Sequence, residues 1–117
     1  MSGNYKKLIV WQKADQLAKT VYIETENFPR REVFGVTSQL RRAALSVPTN
    51  IVEGYARRTR KELVRFLDIS LGSFVETEYL IDFSLSLGFL SEQSYQKIAA
   101  LRAEVGSLLW KFIKSIE

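Results

Sequence analysis

Apolar residues recur at intervals of three and four along almost the whole chain, the spacing of one face of an α-helix. Pro29, Thr59 and Gly88 interrupt this pattern, and no segment competes as a β-strand. The spacing predicts four helices, over about 10–26, 37–56, 60–87 and 91–117. Long amphipathic helices joined by short turns favour an all-α, antiparallel up-and-down four-helix bundle, formed as a single domain over 1–117.

Residues that favour helix ends stand at the predicted boundaries. Thr59 and Glu62 match a capping box, in which a hydroxyl and a carboxylate each accept a backbone N–H bond. Thr37 and Ser91 are candidate N-caps for the second and fourth helices. Gly88 suits a left-handed C-cap after the third helix.

Pro48 lies inside the second predicted helix, although proline has no N–H for the carbonyl four residues earlier. The apolar period nevertheless continues on both sides, through Leu40, Ala44, Val47 and Ile51. We therefore expect one helix that is kinked at Pro48, held together because the packing of both halves outweighs the lost bond.

Composition restricts the chemistry that the chain can perform. The 117 residues include no cysteine and no histidine, so disulfides, thiolate ligands and imidazole acid–base catalysis are ruled out. No catalytic, phosphate-loop or zinc motif is present, and we expect a protein that is not an enzyme and binds neither metal nor cofactor. With no leader-like or membrane-spanning apolar run, the expected location is the cytoplasm.

Charge is concentrated in the middle third of the chain. The net charge is +4, but between Arg30 and Arg65 nine basic residues face only three acidic ones. This asymmetry is typical of proteins with a polyanionic partner. The candidate phosphate-binding residues are the basic side chains at the two turns flanking the second helix and at the start of the third: Arg30, Arg31, Arg57, Arg58, Arg60, Lys61 and Arg65. On composition alone, a run such as 57–61 is slightly more typical of a solvated corner than of a binding site.

Antiparallel pairing of the second and third helices across a turn at Arg58 and Thr59 brings opposite charges into register. It sets Arg42 opposite Glu76, and Glu53 opposite Arg65. We expect structural ion pairs between helices here. A catalytic or metal-binding role for the two carboxylates is disfavoured because no histidine accompanies them.

The fourth helix has a second apolar stripe of small and large residues, which suggests self-association: Ala99, Ala103, Gly106, Trp110 and Ile113. A wide core within one bundle is the alternative interpretation of the same stripe.

Six segments resemble the small four-helix-bundle proteins encoded in intervening sequences of bacterial 23S ribosomal RNA genes: 10–14 (VWQKA), 28–29 (FP), 39–44 (QLRRAA), 47–54 (VPTNIVEG), 66–67 (FL) and 72–73 (GS). The resemblance implies a homopentamer. It also implies a fold similar to the accessory protein of diversity-generating retroelements, which binds nucleic acid and a reverse transcriptase through basic surfaces. It transfers no catalytic residue, and it implies structural roles for Arg41, Arg42, Asn50 and Glu53.

These observations together predict a non-enzymatic, oligomeric protein that binds nucleic acid, with structured RNA as the expected ligand, through basic surface residues. The alternative is a homo-oligomeric scaffold for protein interaction that has no nucleic-acid role.

Overall fold

The computed structural model describes residues 4–117 and contains four α-helices. They are α1 (Ile9–Glu24), α2 (Val36–Tyr55), α3 (Arg60–Ser86) and α4 (Glu92–Ile116), with short 3-10 turns at Asn4–Lys7 and Arg30–Glu32. Within residues 4–117 no strand is formed. The predicted all-α fold is confirmed.

The helices pack as a four-cornered bundle measuring 43 × 25 × 21 Å. Helix α1 packs beside α2 and α4, and α3 also packs beside α2 and α4, whereas the backbones of the diagonal pairs lie farther apart in the described residues. Large apolar side chains from all four helices are fully buried between them: Leu17, Leu40, Ile51, Leu67, Ile81, Ile98 and Leu109.

Helix ends follow the predicted signals except at α2. The hydroxyls of Thr59 and Ser91 each accept a backbone N–H bond of 3.1 Å, which caps α3 and α4. Gly88 ends the α3 turn with a φ of 77°. The predicted cap at Thr37 is wrong: α2 begins after Gly35, and Thr37 is buried within its first turn.

Helix α2 continues through Pro48 as one element, and Pro48 is itself buried. Side chains donate hydrogen bonds to the carbonyls just before the proline: Thr49 Oγ1 to Leu45 and Asn50 Nδ2 to Ser46, each at 2.8 Å. These bonds lie beside the proline and do not reach the carbonyl of Ala44, which the proline leaves without its helical donor. The kink itself stays a prediction.

Helix α3 is hydrogen-bonded to α2 beside this proline. The buried hydroxyl of Ser70 donates a 2.8 Å hydrogen bond to the carbonyl of Val47, and Ser73 donates to the Ser46 hydroxyl at 2.9 Å. These contacts confirm that the two helices are antiparallel in the predicted register.

Glycine at 54 lets the same two helices approach closely. A Cβ atom added at Gly54 would lie 2.9 Å from Cβ of Phe66 and 3.2 Å from Cδ1 of Leu63. In contrast, nothing lies within 4 Å of a Cβ added at Gly72, on the outside of α3. Only the first of these two helical glycines is therefore required for packing.

The α3–α4 contact includes a charged cluster around Arg102. Its guanidinium donates to Asp82 at 2.9 Å and to the Tyr95 hydroxyl at 3.1 Å, and it lies 3.8 Å from Glu78. Burial alone would lower the pKa of Arg102, but the hydrogen bond to Asp82 and the nearby carboxylates outweigh it and raise the pKa. The guanidinium therefore stays charged and holds the two helices together.

We predict that Gly54→Ala lowers the free energy of unfolding by about 1–3 kcal/mol, because the new methyl group overpacks the α2–α3 contact. Gly72→Ala is the matched control, since it adds the same methyl group within a helix but into open space. It should raise stability by about 0.5–1 kcal/mol. Urea unfolding followed by circular dichroism measures both. Equal effects of the two substitutions would contradict this account of Gly54.

We also predict that Ser70→Ala costs about 1 kcal/mol, because it removes a buried hydrogen bond to the carbonyl of Val47. Ser86→Ala is its control within the same helix: the Ser86 hydroxyl also donates to a carbonyl, that of Phe83, but it is exposed. Chemical denaturation should show little change for Ser86→Ala. A loss at Ser70 no larger than that at Ser86 would mean that the bond does not fasten α3 to α2.

Candidate nucleic-acid interface

The structure divides the predicted phosphate-binding residues between opposite ends of the bundle. Arg30 and Arg31 precede α2, whereas Arg57 and Arg58 follow it. Helix α2 has 20 residues, which at 1.5 Å per residue separates its two ends by about 30 Å. The seven residues proposed from the sequence therefore do not form one site.

We call the end of the bundle where α2 and α4 finish, and α1 and α3 begin, the basic end. Helix α4 is antiparallel to α1, as two ion pairs show: Lys13 lies 3.3 Å from Glu104, and Glu24, further along α1, lies 3.7 Å from the earlier Lys97. It is also antiparallel to α3, because Gly106 lies against the ring of Phe74 whereas the earlier Arg102 contacts the later Asp82. The last turns of α4 therefore lie at the same end as residues 57–61.

Four lysines at the basic end were missed by sequence reasoning. Lys6 and Lys7 lie just before α1, Lys111 and Lys114 lie in the last two turns of α4, and all four are exposed. They are distant in sequence from residues 57–61. Antiparallel register could have been applied to α1 and α4 as it was to α2 and α3. It would have placed these four lysines at the same end as residues 57–61.

Some of the arginines at the basic end are paired with carboxylates. Arg57 lies 3.3 Å from Glu53, and Arg65 lies 3.1 Å from Glu62, each pair within a single helix. Within residues 4–117 no carboxylate lies within 4.0 Å of the other three cations of this corner, which are fully available to a ligand: Arg58, Arg60 and Lys61.

The ion pairs predicted between α2 and α3 are not formed in the described part of the chain. Glu53 pairs with Arg57 and Arg65 pairs with Glu62, each within its own helix. A residue one helical turn away lies nearer than a charged group on the facing helix. Arg42 donates to the Ser38 hydroxyl at 3.2 Å. Arg42 and Glu76 line the same open groove but do not pair. The predicted register is right and the predicted pairing is wrong.

Two arginines of this corner contact the ring of Phe66, a candidate for base stacking. The guanidinium carbons of Arg57 and Arg65 lie 4.5 and 4.9 Å from the centre of its ring. These cation–π contacts hold the two arginines at the surface of the corner. The arrangement suits contacts with phosphate oxygens better than insertion of a base.

The stripe predicted on α4 for self-association is only partly available. Ile113 is buried in the core of its own bundle, and Gly106 lies against Phe74 of α3. Trp110 is 52% exposed, with the ammonium of Lys114 lying 4.7 Å from its ring centre. Ala99 is half-buried and Ala103 is exposed. Ile113 and Gly106 thus serve the wide core that was the alternative interpretation.

In the part of the chain that the structure describes, no three carboxylates come together as metal ligands. None of the described helices is long and apolar enough to cross a membrane.

The fold and this end together define a small four-helix-bundle protein with a strongly cationic end. The model of the 23S rRNA-intervening sequence protein family matches residues 6–111, and the chain belongs to this family. It is similar to a crystal structure from Bacteroides thetaiotaomicron VPI-5482, described as a protein with unknown function from the S23 ribosomal protein family. The two share 25% identity and a TM-score of 0.80, over 91% of this chain and 99% of that one. No curated protein matches this chain.

Proposed function

We propose that this protein is a non-enzymatic, homo-oligomeric RNA-binding protein of the cytoplasm that contacts its ligand through the basic end. The observation that carries the proposal is the grouping of three unpaired cations, Arg58, Arg60 and Lys61, at one exposed corner. Lysines before α1 and at the end of α4 extend the same charge. The family name, which refers to ribosomal RNA, supports RNA as the polyanion.

The chemistry of this end suits the RNA backbone. Guanidinium groups bind phosphate oxygens through two parallel hydrogen bonds, and ammonium groups add attraction that does not depend on sequence. The corner also includes the first turn of α3, whose backbone N–H groups and dipole favour an anion. Binding should therefore depend on charge and salt more than on base sequence.

Assembly would strengthen this binding. Contacts by a single basic end are few, but a homopentamer, the state implied by the family resemblance, presents five of them to one RNA. Once one end is bound, the others bind at a high effective concentration. The proposal therefore joins self-association with RNA binding.

A protein-interaction scaffold is the second candidate function. It is favoured by the apolar side chains exposed along α3, such as Val75 and Tyr79, which are 56% and 64% exposed. Capture of a protein partner that survives nuclease treatment, with no retention of RNA, would favour this alternative.

We predict that Arg58→Glu/Arg60→Glu weakens binding of a structured RNA at least tenfold at low salt, because two attractive contacts become repulsive. Fluorescence anisotropy with a labelled hairpin, repeated across a salt series, measures both the affinity and its salt dependence. Arg30→Glu/Arg31→Glu is the matched control: it makes the same charge change at the opposite end and should have a much smaller effect.

Equal losses from the two double variants would show that net charge, rather than the basic end, determines binding. Absence of binding by the unmodified protein at low salt would exclude the RNA-binding proposal.

A further inference from the structure

The outer face of α3 is unusually apolar for an exposed helix surface. We call this surface the α3 outer face; its large side chains, between 38% and 64% exposed, are Ile69, Val75, Tyr79, Phe83 and Leu87. It lies opposite the buried side chains of the same helix, such as Leu67 and Ile81. The rings of Tyr79 and Phe83 contact each other, with their centres 6.1 Å apart. Large apolar side chains grouped on one side of a helix and its end are of the kind that marks an interaction surface.

Acidic side chains accompany this apolar patch. Asp68 and Glu76 are exposed on the same side of α3, and no cation lies within 4.0 Å of either within residues 4–117. A partner surface that matches the α3 outer face should therefore combine apolar side chains with basic ones.

A second exposed surface of this chain has that composition. A groove of about 360 Å³ lies between α1 and the start of α2, and we call it the α1/α2 groove. Its apolar walls are Tyr22, Val33 and Leu45, each between 40% and 53% exposed. Arg41 and Arg42 line it as well, and no carboxylate lies within 4.0 Å of either arginine in the described residues.

The polar groups of this groove are arranged to receive a partner. Arg41 is held in place because its guanidinium donates to Thr25 Oγ1 at 2.8 Å and to the carbonyl of Tyr22 at 3.0 Å. It lies 4.9 Å from the centre of the Tyr22 ring. The groove therefore presents two arginines, of which Arg41 is fixed by its own hydrogen bonds, and no carboxylate of the described residues neutralises either.

We propose that the α3 outer face of one copy of this chain docks into the α1/α2 groove of a second copy. The inference rests on the self-association proposed above and names the surfaces that form the contact. Apolar side chains meet apolar side chains, and the free carboxylates of Asp68 and Glu76 approach the arginines of the groove. Such complementarity fixes orientation and disfavours other partners.

Charge also excludes the symmetric arrangements. Docking α3 on α3 would bring Asp68 and Glu76 of two copies together, and docking groove on groove would do the same for Arg41 and Arg42. The contact is therefore between two different surfaces, so each copy has one free surface of each kind. A contact of this type continues from copy to copy until it closes into a ring.

Two double variants test the docking. Val75→Glu/Tyr79→Glu disrupts the α3 outer face, and Val33→Glu/Leu45→Glu disrupts the α1/α2 groove. All four side chains are about half exposed or more, so circular dichroism should show that both variants remain folded. We expect each variant alone to be monomeric by light scattering, and an equal mixture to form a dimer of two chains, because one intact surface of each kind remains.

Trp110→Glu is the control, since it introduces a glutamate at an exposed aromatic residue of α4, outside both surfaces, and should leave the assembly of the unmodified protein unchanged. Three outcomes would overturn the docking alone: a mixture that stays monomeric, a groove variant that still assembles, or dissociation by Trp110→Glu only. A monomeric unmodified protein would overturn the proposed self-association as well. RNA binding is tested separately by the variants at Arg58 and Arg60.

Discussion

The contact between α2 and α3 beside Pro48 determines the positions of most other features of this bundle. Proline removes the backbone hydrogen bond to the carbonyl of Ala44, so α2 depends on the packing of both its halves at this point. Beside the proline, Thr49 and Asn50 donate to carbonyls within α2, and Ser70 donates from α3 to the carbonyl of Val47. The bond from Ser70 fixes α3 at a definite register against α2.

That register decides which charges share a surface. Because α3 runs antiparallel to α2 from the turn at 56–59, Arg60 and Lys61 lie beside Arg57 and Arg58. The approach at Gly54 brings Phe66 close to α2, where Arg57 and Arg65 contact its ring from both helices. A bulkier residue at 54 would separate the helices at this corner and disperse its cations. The electrostatics of the basic end thus depend on helix packing.

The sequence was sufficient to predict the parts of this structure that depend on local patterns. Helix periods, the caps at Thr59 and Ser91 and the passage through Pro48 each leave a signal within a few residues. The register of α2 and α3 followed from a short turn. Glu53 shows where this reasoning fails: a long side chain can reach several partners, and the pattern does not reveal that Arg57 is nearer than Arg65.

Features that depend on the packing of three or four helices could not be predicted from local sequence patterns. Ile113 belongs to the core because α4 turns more than one face toward its neighbours, and its apolar stripe looks the same whether it is covered by this bundle or by another. The lysines at 111 and 114 join the basic end only once α4 is placed beside both α1 and α3. Such placement requires the interhelical angles, which no short motif specifies.

The two proposed activities use different parts of the bundle and are compatible for that reason. The α3 outer face and the α1/α2 groove lie along its sides, whereas the basic end lies across one end. Docking side to side leaves that end uncovered in every copy. In a closed ring the copies are related by rotation, so all basic ends would lie at the same distance from the axis. A weak cationic corner would then become a repeated surface that suits an extended phosphate backbone.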